Sequence, residues 1–154
     1  MNALPWLVIV GLSMAPVFEL RGGIPYGLSQ GLPAGLVFLV AVLGNLAVVP
    51  VLLWGFERAE RLLRRARWGE VLFVKTVERA RRKGRWIERW GPIGLVLLVA
   101  IPLPGTGAWT GAVAARVLGM PCRKALPWIA VGVLIAGLLV LFASLGAFHL
   151  VGLD

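Results

Sequence analysis

One cysteine, Cys122, and one histidine, His149, occur in 154 residues. A disulfide framework or a thiolate metal site within one chain is therefore excluded, and metal chemistry has almost no ligands to use. Charge is scarce as well, at 15% of residues against about 25% in a typical soluble domain. It is also confined. The segment from Glu57 to Trp90 holds twelve of the sixteen Lys and Arg and five of the seven acids, leaving six charged side chains among the other 120 residues. With 59% apolar residues, that distribution excludes a soluble monomeric enzyme and a disordered chain, and it makes the net charge of +9 a matter of topology first. No P-loop, Rossmann fingerprint or pair of catalytic carboxylates is present, so the chain reads as a non-enzyme without a cofactor. Gly27-Leu28-Ser29-Gln30-Gly31 matches the G-x-S-x-G elbow in letters, but that turn needs a strand before it and acid and His partners.

What the chain has in quantity is apolar sequence. A helix needs about 20 apolar residues to cross about 30 Å of hydrocarbon. Leu32 to Phe56 gives 25 residues without a formal charge, and Ala125 to Phe148 gives 24. Both are long enough. Ala3 to Phe18 stops after 16 residues at Glu19, and Ile93 to Ala115 is interrupted by Pro102-Leu103-Pro104-Gly105-Thr106-Gly107. No basic residue precedes the first run, so it does not read as a cleaved signal peptide. These two regions predict re-entrant hairpins, broken by Pro16, Gly22, Gly23 and Pro25 and by Pro102, Pro104, Gly105 and Gly107. Non-helical backbone at membrane depth is tolerated only where protein buries it or water reaches it, so each turn should face a cavity or the other turn.

The two halves correspond. Gly23-x-x-x-Gly27 lies 84 residues before Gly107-x-x-x-Gly111; after a slip of four, Gly31-x-Pro33 meets Gly119-x-Pro121 and Gly44 meets Gly132, at a spacing of 88. The expected fold is an all-α integral membrane protein of two repeats, 1–56 and 91–154, forming one membrane domain. Each repeat is a broken re-entrant hairpin followed by a long transmembrane helix, and basic amphipathic helices at 57–90 join them. Basic residues favour the cytoplasmic side. That rule puts 57–90, Arg116, Arg123 and Lys124 inside a cell inner (plasma) membrane, makes the protein multi-pass and leaves the two repeats inverted. Trp54, Trp86, Trp90 and Trp128 then fall near the inner interface, and Trp6 near the outer one.

In the linker, Ala59, Leu62, Ala66, Phe73, Val77 and Ala80 recur at helical spacing among Arg and Glu. Such helices lie on a membrane surface, attracted to anionic headgroups by about 1 kcal/mol per basic residue. Interleaved acids and the lack of a base-stacking module argue against nucleic acid. Small-residue faces at Gly27, Gly31 and Gly35 favour helix contact, so a homo-oligomer, with a dimer favoured, is expected.

Glu19-Leu20-Arg21-Gly22-Gly23-Ile24-Pro25-Tyr26-Gly27 and the stretch AIPLPGTGAWTGAVAA at 100–115, flanking a basic linker, resemble the signature stretches of the putative small multidrug export protein family. That family is distantly similar to the DedA (VTT domain) membrane proteins. The resemblance covers nearly the whole chain. It implies an inverted-repeat membrane protein with two re-entrant hairpins and a transport function; DedA relatives are associated with flipping polyprenyl phosphate and other lipids. Beside PLPGTG this chain has no Arg, where those relatives carry arginines.

Glu19 and Arg21 are the only charges in the first 56 residues, and a charge at the bilayer centre costs about 2.5–3.5 kcal/mol on insertion scales. Two readings stand. Either a buried pair pins the hairpin, or Glu19 binds a proton or cation and Arg21 an anionic or polar substrate group. The opposite wall would come from the turn through Pro104, with Thr106 and Thr110 hydroxyls, backbone N–H groups freed by Gly105 and Gly107, and Trp109 as an apolar lid or stacking face. Close packing at Gly107 and Gly111 is the alternative. Asn45 either accompanies a kink at Pro50 or faces the same cavity. A transporter, a lipid flippase and a non-transporting membrane scaffold are the functions compatible with these features.

Overall fold

The computed structural model describes residues 3–63, 78, 87, 89–102 and 106–151. Within them six α-helices follow one another in an order that repeats. They are α1 (Leu4–Met14), α2 (Glu19–Ser29) and α3 (Ala34–Leu63), then α4 (Pro92–Ala100), α5 (Ala108–Val117) and α6 (Cys122–Val151). Each triplet is two short helices and a long one. At about 1.5 Å per residue, the 30 residues of α3 and of α6 extend about 45 Å, while the short helices reach about half a bilayer.

Proline and glycine set these lengths. Pro16 has no N–H to continue α1 and forces Ala15 into an extended conformation, ψ 135°. Gly31 and Gly119 close α2 and α5 at φ +67° and +74°, a region that only glycine enters without strain. The turns match bond for bond. Leu32 N–H donates to Gly27 O in the first, and Met120 N–H donates to Ala115 O in the second, each pair of equivalents 88 apart. Pro33 and Pro121 then lead into α3 and α6.

The 88-residue register also runs through α2 and α5, without the slip of four expected from the glycine pairs. A Cβ on Gly23 would meet Ser13 and Ile9, and one on Gly111 would meet Val99 and Leu95, both 86 residues later. Gly23 and Gly111, 88 residues apart, therefore make matching contacts. Four residues are close to one helical turn, so a shifted glycine pattern still lies on the same face and imitates the true alignment. Gly44 and Gly132 do correspond as expected: the first meets Val10 and Ser13, the second Val96 and Val99.

Helix α1 packs on α2 and α3, and α4 packs on α5 and α6; α2 and α5 each lie against both long helices, which also touch one another. Exchanging the triplets reproduces this pattern. The long helices run antiparallel, since the Cys122 thiol lies 3.5 Å from the Leu53 carbonyl while Gly137 lies against Phe38 and Val42. The core holds Val37, Ala41, Val49, Leu95, Ile129 and Val133. Leu39, Leu43, Leu138 and Phe142 point outward on the same long helices. A helix that is apolar on every face fits a lipid surround. Ala34–Phe56 and Cys122–Leu150 are long and apolar enough to cross a membrane.

Helix α3 continues to Leu63, seven residues beyond Phe56, because Glu, Arg, Ala and Leu from 57 to 63 are good helix formers with no break among them. Most of the amphipathic linker at 57–90 lies outside the described residues.

Candidate functional site

The two helix breaks meet. Glu19 opens α2 at φ +47°, unusual for a side chain with a Cβ, and is buried with 7% of its surface exposed. Its carboxylate reaches across to the start of α5, where Oε1 accepts the Trp109 N–H at 3.2 Å and the Ala108 N–H also contributes. A carboxylate at a helix N-terminus satisfies donors that have no intrahelical partner and lies at the positive end of the helix dipole. Gly107 sits directly against that carboxylate, and any Cβ there would collide with it. Its φ of +126° and ψ of −167° form a backbone that essentially only glycine adopts.

Arg21 crosses the same junction. Its Nη2 donates to the Thr106 carbonyl at 2.9 Å, with the Thr106 hydroxyl oxygen at 3.4 Å. The Thr106 hydroxyl in turn donates to the Ile101 carbonyl at 2.6 Å and so draws together the ends of the second break. Trp109 Nε1 donates to the Met14 carbonyl at 3.0 Å, at the end of α1. One acid, one base and an indole N–H thus clasp the tips together. Glu19 and Arg21 do not bond to each other; each is engaged by the opposite tip.

The predicted site residues divide accordingly. Glu19, Arg21, Thr106, Gly107 and Trp109 come together, with Trp109 acting through its ring N–H as a tie between the tips. Gly22 and Gly23 are packing positions, against Phe18 and against Ser13 with the Ile9 carbonyl. Thr110 is half-buried in the first turn of α5. Pro104 and Gly105 lie outside the described residues. Asn45 is buried in α3 at 2% exposure, and neither polar atom of its side chain has a hydrogen-bond partner. Nothing in the sequence singled out Ser13, whose buried hydroxyl likewise has no partner, or the Met14 carbonyl that receives Trp109.

Beside the clasp lies a cavity of about 440 Å³, between Arg21 and Pro25 on α2, Pro102 at the second break, and α6 from Leu139 to Phe148. Among the described residues Arg21 is its one charged lining residue. The stretch of α6 that forms its wall reads in sequence as plain membrane-spanning helix, so only the fold reveals it.

The family model described as putative small multi-drug export protein matches residues 19–139, from the clasp carboxylate well into α6. The chain belongs to that family. No curated protein and no solved structure matches it. The family's matched region thus contains both tips, the turn glycines Gly31 and Gly119, and most of both long helices.

Proposed function

We propose that this small multidrug export family member is a DedA-like membrane transporter that moves a small amphiphilic or anionic substrate by alternating access. The observation that carries this reading is the clasp, because polar and charged groups at the breaks of paired half-helices are the arrangement transporters use for substrate and coupling ions. Three features support two inverted repeats with re-entrant hairpins: the repeated helix order, the contact pattern that survives exchange of the triplets, and the antiparallel long helices. On this reading the chain sits in the inner membrane with the basic linker on the cytoplasmic side against anionic headgroups. It works as a homodimer, and it transports rather than catalyses. A lipid flippase is the second reading, favoured by the position of the cavity against the outward-facing side of α6.

Opening toward one side and then the other requires the clasp to break and reform. Protonation of Glu19 would weaken its hold on the α5 N-terminus and its attraction to Arg21, so a proton gradient can bias the cycle. Glu19→Gln retains an acceptor oxygen for the Trp109 N–H and removes the charge. In proteoliposomes it should abolish gradient-driven uptake while leaving expression and assembly intact. Transport equal to the parent across a proton gradient would refute the coupling and leave Glu19 a structural tie.

A further inference from the structure

The cavity beside Arg21 specifies a substrate more narrowly than the clasp does. Its volume of about 440 Å³ falls within the roughly 300–1,000 Å³ of small-molecule sites. Its walls are apolar at Pro25, Pro102, Leu139, Ala143 and Phe148, and the Ser144 hydroxyl is already given to the Val140 carbonyl at 2.7 Å. The single charge among its described lining residues is the Arg21 guanidinium. Thr106 engages only its Nη2 corner, and a guanidinium carries five N–H donors; among the described residues no other acceptor takes Nη1 or Nε. Glu19 attracts Arg21, but its carboxylate bonds to the start of α5 and not to the guanidinium.

The wall on α6 is also the outward wall. Of its lining residues on α6, Leu139 is 48% exposed and Ala143 and Ala147 are exposed as well, which puts the cavity at the protein surface along an apolar helix. A ligand here meets acyl chains on one side and a cation on the other. At about 30 Å³ for each water-sized group, this volume holds on the order of fifteen such groups, enough for one head and one chain of about ten carbons.

We infer that the cavity binds a single-chain anionic amphiphile, its head on Arg21 and its chain along α6, and that this class of molecule is the transported substrate. The inference rests on the transport reading above for its second half. Carboxylate, sulfate and phosphate monoester heads share the recognising chemistry, and a cationic head is repelled.

The test is displacement of a fluorescent fatty acid, 11-(dansylamino)undecanoate, from the purified protein in a nonionic detergent. Decanoate, decyl sulfate and decyl phosphate compete as separate arms against decyltrimethylammonium. The anions should displace the probe and the ammonium should not. Loss of a charge-assisted hydrogen bond should make Arg21→Gln bind the probe roughly tenfold to a hundredfold more weakly. Because Arg21 also holds Thr106, a second variant keeps the test independent of the clasp: Ala143→Trp fills the cavity from α6 and should abolish binding. Equal displacement by the ammonium, or full binding by Ala143→Trp, overturns the inference. Flux of the same compounds in proteoliposomes separates the two proposals. Anion binding without movement refutes transport and keeps the ligand class, whereas movement of the cation alone keeps transport and refutes the ligand class.

Discussion

Replacing Gly107 by alanine tests the junction most directly, because its cost has two parts that can be separated. The first is backbone. At φ +126° and ψ −167° a residue with a Cβ is strained by about 1–3 kcal/mol. The second is the carboxylate: the new methyl would occupy the space of the Glu19 carboxylate and push it off the Trp109 and Ala108 N–H groups. Hydrogen bonds to a charged group contribute about 1.5–3 kcal/mol, so the variant should lose about 2.5–6 kcal/mol in all. Glu19→Ala alone removes the same carboxylate bonds and should lose about 1.5–3 kcal/mol. The double variant loses those bonds once, not twice, and is relieved of the collision, so the two changes should be non-additive by about 1.5–3 kcal/mol. Reversible unfolding in mixed micelles of SDS and a mild detergent gives the cycle, and amide exchange at Ala108 and Trp109 gives a local reading. Additive losses, or unchanged exchange in Gly107→Ala, would show that Glu19 does not cap α5.

Other expectations follow from single contacts. Gly44→Ala should be tolerated, its Cβ meeting Ser13 at an ordinary 3.4 Å, whereas Gly132→Ala, at 2.6 Å from the Val99 Cβ, should lose about 1–3 kcal/mol in the same unfolding assay. Asn45→Leu removes a buried amide without partners and should leave stability unchanged or raise it by up to about 2 kcal/mol; a loss of that size would mean the amide is bonded in the membrane. Trp109→Phe keeps the ring and removes the bond to the Met14 carbonyl, so a loss of about 1 kcal/mol is expected. In a Cys122→Ser background, Gln30→Cys should react with an impermeant thiol reagent from outside and Arg82→Cys should not; the reverse result refutes the proposed orientation.

Helix breaks, long spans and turn glycines were legible because each rests on local chemistry. Pro16 and Pro102 remove donors, Gly31 and Gly119 supply left-handed turns, and the apolar runs exceed the bilayer length. The two charges near the first tip were legible as costly, and five of the predicted residues do meet. Their partners were not legible. On a regular helix Glu19 and Arg21 point about 200° apart, and nothing in their own neighbourhood says that a backbone some ninety residues later receives both. The α6 wall escaped notice for a related reason: Leu139, Ala143 and Phe148 differ in no way from lipid-facing residues until α2 is laid beside them. Repeat register was ambiguous by one helical turn, and only the contacts of Gly23 and Gly111 resolved it.

Glu19 and Gly107 are themselves 88 residues apart, and therefore occupy the same position in the two triplets. They are also in contact, where the two breaks meet. There is room for a single side chain between them. On the proposed two-repeat reading, matching halves are then obliged to be unequal at their centre: one contributes an acid and the other must contribute empty space. Two acids would clash, and two glycines would leave the N–H groups of α5 bare. The asymmetry fixes a polarity, since the acid belongs to the tip that also carries Arg21 while the helix start it caps belongs to the other. Moving the acid to the second tip, by Glu19→Gly together with Gly107→Glu, would build the mirror arrangement with the cap on α2. Because Arg21 stays where it is, that exchange also parts the two charges, one to each tip.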